Sequence, residues 1–137
     1  MSGKRSKHVR LFLTAGAARL AEADLLRESG RSLGAIYLAG YAVECVLKAL
    51  VLSLVDEHKQ SSVMAQFRGG RAHDFTWLKT LYRENGGAGF PKDVAVAFVV
   101  DSWGTDLRYN PRIEYPGDAD EFFRSLNVIL GWANARL

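Results

Sequence analysis

Apolar residues recur at helical spacing from the start of the chain. Val9, Leu13, Gly16, Leu20, Ala23 and Leu26 follow steps of four and three, which lines up one face of a helix predicted from about His8 to Glu28. Ser29-Gly30 stops it, with Gly30 suited to the left-handed position after a helix C-terminus. Ser32 is placed to cap the next helix. From Leu33 to Val55 only Glu44 and Lys48 carry charge, and no proline interrupts. That run has the length of a membrane span. Two charges near its centre would each cost roughly 2.5–3.5 kcal/mol on insertion scales, so a central helix wrapped by its neighbours is expected instead. The polar groups of this helix fall in register: Tyr37, Tyr41, Glu44 and Lys48 are separated by four, three and four residues, one narrow stripe. Glu44 precedes Lys48 by four, the favourable orientation for an ion pair. The stripe fits a structural pair or, equally, a wet cleft or polar subunit interface.

Asp56 to Ala72 reads as a polar connection around Arg68-Gly69-Gly70-Arg71. A shorter helix is expected from His73-Asp74, with Asp74 as N-cap and Phe75, Leu78, Leu81 and Tyr82 facing inward. Asn85-Gly86-Gly87 ends it. Pro91 suits the first turn of a fourth helix reaching about Ser102. Val94, Val96, Val99 and Val100 would also suit a strand, but a strand without a partner is not expected. Asp118-Ala119-Asp120-Glu121 resembles a capping box ahead of Phe122, Leu126, Ile129 and Ala133, giving a last helix of about 17 residues. The pattern predicts an all-α fold, an up-and-down helical bundle of four main helices plus a short additional one.

Composition agrees with a packed domain. The chain has 137 residues, 48% hydrophobic and 24% charged, so a single domain over 8–137 behind a basic, flexible 1–7 is expected. Net charge is only +3, with Lys4, Arg5, Lys7 and Arg10 forming a basic tip that fits RNA phosphates or a solvated terminus. That tip lacks a following signal core, and a cytoplasmic protein is expected. A lone cysteine, Cys45, inside the apolar run reads as a core residue. The three histidines, His8, His58 and His73, lie far apart, so no metal site of usual ligand spacing and no cofactor are expected. No glycine-rich phosphate loop with lysine and serine or threonine is present; Gly86-Gly87-Ala88-Gly89 reads as a turn.

The segment Tyr37-Leu38-Ala39-Gly40-Tyr41-Ala42-Val43-Glu44-Cys45-Val46-Leu47-Lys48-Ala49-Leu50 resembles the second-helix signature of the HEPN family. His73-Asp74-Phe75 is similar to the His-Asp-Leu opening of that family's third helix, and Asp106-Leu107-Arg108-Tyr109 to its Arg-Tyr element before the last long helix. The resemblance spans roughly residues 10 to 135. It implies a dimerising bundle, found beside nucleotidyltransferases and in prokaryotic toxin–antitoxin and defence systems. In many members the dimer cleft is a metal-independent ribonuclease built on Arg, four to six residues, then His.

This chain departs from that motif. Arg108 is followed by Tyr109, Asn110, Pro111, Arg112, Ile113, Glu114 and Tyr115, without a histidine. A literal Arg-x4-His occurs at Arg68 and His73, ahead of the third helix and away from the family position. His73 either orders the helix start or folds back against Glu44, Lys48 and Arg108 as a composite site. Arg108, Glu44 and His73 are thus the candidate catalytic residues of such a composite site, and Lys48, Arg108, Arg112, Tyr109 and Tyr115 the candidates for holding RNA or a nucleotide phosphate. Trp103, Tyr109 and Tyr115 fit base stacking near Arg108 or the pinning of a proline-containing loop. The partners implied are a second copy, a nucleotidyltransferase or antitoxin, and RNA or a nucleotide, with no membrane. Three functions stay open: RNA or phosphate binding, catalytically silent docking of an enzyme partner, and a ribonuclease toxin.

Overall fold

The computed structural model describes residues 6–97, 103–104 and 116–137, all helix or connection among those residues. The expected all-α class is what they form. The helices are α1 (Lys7–Glu28), α2 (Ser32–Ser53), α3 (Gln60–Met64), α4 (Phe75–Glu84), α5 (Lys92–Ala97) and α6 (Pro116–Asn134). Single 3-10 turns at Glu57–Lys59 and Gly70–His73 lie between α2 and α4.

α2 is the centre. Every residue from Ala42 to Leu52 is buried, and α1, α4 and α6 all pack against it. The helix is long and apolar enough to cross a membrane, yet 83% of its most apolar stretch is buried inside the protein. The most extensive packing is with α1. There Gly16 meets α2 so tightly that an added Cβ would stand 3.1 Å from the Cys45 Cβ. α6 is fastened to α1 from the side: Arg27 donates to Asp120 at 2.6 Å while its guanidinium lies 4.5 Å from the Phe123 ring centroid.

Helix ends follow local chemistry. Ser6 caps α1 by accepting the Val9 amide. At the other end Gly30, with φ of 78°, completes a Schellman motif: its N–H donates to the Arg27 carbonyl and the Arg31 N–H to that of Leu26. Asp74 accepts the Thr76 and Trp77 amides at the start of α4. Phe75, Leu78, Leu81 and Tyr82 are all buried, as their spacing predicts.

Three expectations need correction, and a fourth falls partly outside the described residues. Ser32 is not a cap but the first residue of α2, which follows so directly on the Gly30 turn that Arg31 occupies the cap position without a side-chain bond. α6 begins at Pro116, so Asp118 stands inside the helix; proline at the first helical position forfeits no bond there. Of the helix expected from Pro91 to Ser102, α5 occupies Lys92–Ala97 and residues 98–102 lie outside the described residues. The polar connection over Asp56–Ala72 contains α3 and both 3-10 turns. Its organising residue is Gln60, fully buried in spite of its polarity. The Gln60 amide donates to the Leu52 carbonyl in the last turn of α2 and to the Val55 carbonyl just beyond it, and accepts the Ser6 hydroxyl at 2.7 Å.

Candidate functional site

α2 presents the stripe seen in the sequence, but mostly to protein rather than water. Glu44 and Lys48 are only 5% and 6% exposed. One turn apart, they form a direct ion pair, with Lys48 Nζ donating to Glu44 Oε2 at 2.8 Å. The ammonium lies 5.7 Å from the Phe12 ring centroid and 5.2 Å from that of Phe67. Those two rings meet edge to face at 5.9 Å and close over it, one from α1 and one from the connection after α3. Two aromatic faces and a carboxylate replace the water that the ammonium gives up. A phosphate would have to displace this shell, so the structure does not present Lys48 as a phosphate ligand. Of the two readings the stripe allowed, a structural pair and a wet cleft, this end of α2 has the first, with both charges covered.

The second carboxylate oxygen has a different partner. His73, from the 3-10 turn before α4, places Nδ1 2.7 Å from Glu44 Oε1. Tyr41, one turn up α2, packs edge-on against the imidazole with centroids 6.1 Å apart. The acceptor oxygen favours the tautomer with hydrogen on Nδ1 and leaves the lone pair on Nε2. With 37% of its side chain exposed, His73 is the member of the trio that meets solvent. Lys48, Glu44 and His73 form one chain: buried cation, buried carboxylate, half-exposed imidazole. A carboxylate fixing the orientation of an imidazole is the arrangement general-base catalysis uses. The carboxylate here is itself held by an ammonium.

Aromatic rings wall the trio on the far side from Lys48. The hydroxyls of Tyr37 and Tyr41 are hydrogen-bonded to each other at 3.1 Å, which uses the upper part of the stripe. Trp103 lies against both tyrosines and stacks on Phe75 with rings 5.3 Å apart and nearly parallel at 4°. Its indole N–H donates to the Ile36 carbonyl. Only 5% exposed, Trp103 pins the chain to α2 and has no free face for a base. Its partners in the expected stacking triplet, Tyr109 and Tyr115, lie outside the described residues, as do Arg108 and Arg112.

The residues that the sequence reading missed are the ones that surround the charges. Phe12 and Phe67 carried a faint signal, as an aromatic on the helix and one alone in a polar connection. Arg71 carried none. Its guanidinium rests 5.0 Å from the Trp77 ring centroid, two residues before His73, and Arg71 is exposed. Cys45, beside Glu44, is buried, and burial followed by the neighbouring carboxylate pushes its thiol up to about 11 in spite of Lys48. It is a poor nucleophile near neutrality. Among the described residues no three His, Cys, Asp or Glu side chains come together as a metal would require. No family model, curated protein or solved structure matches the chain.

Proposed function

We propose that this chain is a HEPN-like helical domain that acts on RNA or a nucleotide phosphate, with His73 as its acid–base group. The observation that carries the proposal is the 2.7 Å contact between His73 Nδ1 and the buried Glu44 carboxylate, on an imidazole that is partly exposed to solvent. The resemblance to the HEPN family includes both positions, Glu44 in the second-helix segment and His73 at the opening of the third helix, although its own catalytic histidine would follow Arg108. The up-and-down bundle it implies would take α1, α2, α4 and α6 as its main helices. A cytoplasmic toxin–antitoxin or defence setting and a homodimer belong to the proposal on the same footing.

In the reaction, Nε2 of His73 removes the proton of a ribose 2′-hydroxyl. The oxygen attacks the adjacent phosphorus, the bond to the 5′-oxygen breaks, and the leaving alkoxide takes a proton from imidazolium or water. Products are a 2′,3′-cyclic phosphate and a 5′-hydroxyl. Glu44 steadies the imidazolium as it forms. Arg108, and Arg71 beside His73, supply the guanidinium forks that phosphate oxygens accept. Lys48 acts through Glu44, as a positioning residue.

The test is cleavage of single-stranded RNA by purified protein in excess chelator. His73→Ala is expected to lower the rate by about 10²–10⁴-fold. Arg108→Ala should weaken cleavage as well, and the helical spectrum should be unchanged in both. A His73→Ala protein as active as the parent overturns the assignment. Absence of both cleavage and RNA binding favours a second reading, a catalytically silent module docking a nucleotidyltransferase or antitoxin. One feature supports that alternative: Glu44 and Lys48 are sealed inside the monomer, as a purely structural pair would be.

A further inference from the structure

The three histidines of the chain stand in different surroundings. His58 is exposed in the 3-10 turn after α2, with no hydrogen bond or ion pair among the described residues. His8 is half-buried in the first turn of α1. His73 alone has one ring nitrogen committed and the other open. Its Nδ1 faces Glu44 Oε1 at 2.7 Å, while Nε2 has no partner among the described residues and 37% of the side chain is exposed. An imidazole held this way carries its lone pair on Nε2, and the carboxylate behind it raises the electron density there. That prepares a nucleophile as well as a base.

Charge around the ring selects the electrophile. Lys48 balances Glu44 at 2.8 Å, so the buried pair behind the imidazole adds no net charge. Asp74, the next carboxylate in sequence, is turned to the Thr76 and Trp77 amides. Arg68 and Arg71, in the connection just ahead of the ring, are exposed, and neither has a carboxylate partner among the described residues. Arg71 is held by its Nε on the Gln66 carbonyl at 3.3 Å and by the Trp77 ring, which leaves its two terminal nitrogens to donate elsewhere. Between the two arginines, a Cβ added at Gly69 or Gly70 would meet nothing within 4 Å, so the space over this connection is open. Two guanidiniums without carboxylates favour a doubly charged tetrahedral anion.

We infer that His73 is a phosphoryl acceptor, its Nε2 taking a phosphoryl group from a small activated donor, a phosphoramidate or an acyl phosphate. With phosphoramidate the Nε2 lone pair forms the new bond to phosphorus. The bond from phosphorus to the donor's protonated nitrogen breaks, and ammonia leaves with that electron pair. Nδ1 keeps its hydrogen, so the phosphorylated ring is a cation against Glu44, which stabilises it as it forms. Arg71 and Arg68 hold the phosphoryl oxygens. The product has lost the lone pair that RNA cleavage by His73 would use. On the proposed function, phosphorylation therefore switches cleavage off; the acceptor chemistry itself stands on the His73 geometry and holds whether or not the site cleaves RNA.

Incubation of the full chain with phosphoramidate is expected to add a phosphoryl group that is stable in alkali and lost in acid. Fragment mass spectrometry should find it at His73 about tenfold sooner than at His58, the exposed reference. Phosphorus NMR should report the Nε2 isomer alone. Arg71→Ala should slow labelling of His73 several-fold and leave that of His58 unchanged. Acetyl phosphate forms a second arm, and transfer from either donor to Nε2 of His73 supports the assignment. Equal rates at His73 and His58, an Nδ1 product, or no labelling from either donor overturns it. Undiminished labelling in Arg71→Ala removes the guanidinium from the site. RNA cleavage before and after labelling separates the two proposals: a protein that is labelled but never cleaves keeps the acceptor and loses the ribonuclease. One that cleaves undiminished when fully labelled does not use Nε2 as its base.

Discussion

Replacing Lys48 with methionine is expected to cost about 3–5 kcal/mol of folding stability, and adding Glu44→Leu to that variant is expected to restore most of it. The asymmetry follows from where the two charges lie. Each side chain is more than nine-tenths covered, so neither ion can turn to water when its partner is removed. Lys48→Met keeps the aromatic packing under Phe12 and Phe67 but leaves a carboxylate whose remaining partner is the half-exposed His73. In the double variant two apolar side chains of similar volume fill the site, and His73 Nδ1 can take a water from its open side. Urea unfolding of parent, single and double variants measures this directly. A Lys48→Met midpoint equal to the parent's would mean that Glu44 is hydrated or neutral in the folded protein. The same double variant is informative for function. It keeps the fold while removing the group that orients His73, and its RNA cleavage should fall with Glu44 rather than with stability.

Gly40→Ala is expected to destabilise the protein by about 2–4 kcal/mol, although alanine is the better helix former. A Cβ at Gly40 would overlap the indole of Trp103, which lies flat against that turn of α2. The indole must then leave its place between Phe75 and the two tyrosines and surrender its bond to the Ile36 carbonyl. Ejecting a buried tryptophan costs about 3–5 kcal/mol, from which a helix-propensity gain of about 1 kcal/mol is subtracted. Tryptophan emission should shift to the red together with the loss in melting temperature. Gly131→Ala serves as the control, because a Cβ there meets nothing within 4 Å and should be neutral or mildly stabilising. The Gly40→Ala, Trp103→Ala pair should be about 1 kcal/mol more stable than Trp103→Ala alone, since the Cβ then meets no indole. An unshifted emission spectrum for Gly40→Ala would place the indole elsewhere.

What could be read from the chain was mostly what depends on neighbours in sequence. α2 is legible because nothing polar interrupts it except two charges one turn apart, and that spacing alone predicts their pairing. Asp74 as a cap and Gly30 as a left-handed stop are likewise local, three residues of chemistry each. The candidate site is legible only in pieces. His73 and Glu44 are 29 residues apart, and no periodicity connects them. Their contact is one of two readings the sequence allows, the other leaving His73 only to order the start of the helix. The burial of Lys48 could not be read at all, since it is decided by rings from α1 and from the connection after α3. The stripe on α2 suggested a wet groove because its residue types are polar; the tertiary cover over its charged end comes from aromatic residues that no local pattern singles out. Gln60 is the clearest case, a polar residue in a polar stretch whose burial depends on carbonyls eight and five residues earlier and on a hydroxyl at the far end of α1.

That amide ties together three stretches distant in sequence: the first turn of α1, the last turn of α2 and the start of α3. None can fray without releasing the others' bonds. Amide protons at Val9 and Arg10, at the end of α2 and around Gln60 should therefore exchange with deuterium at a common rate, as one cooperative opening. In Gln60→Ala the same protons should separate into independent, faster classes while those of the α2 centre keep their protection.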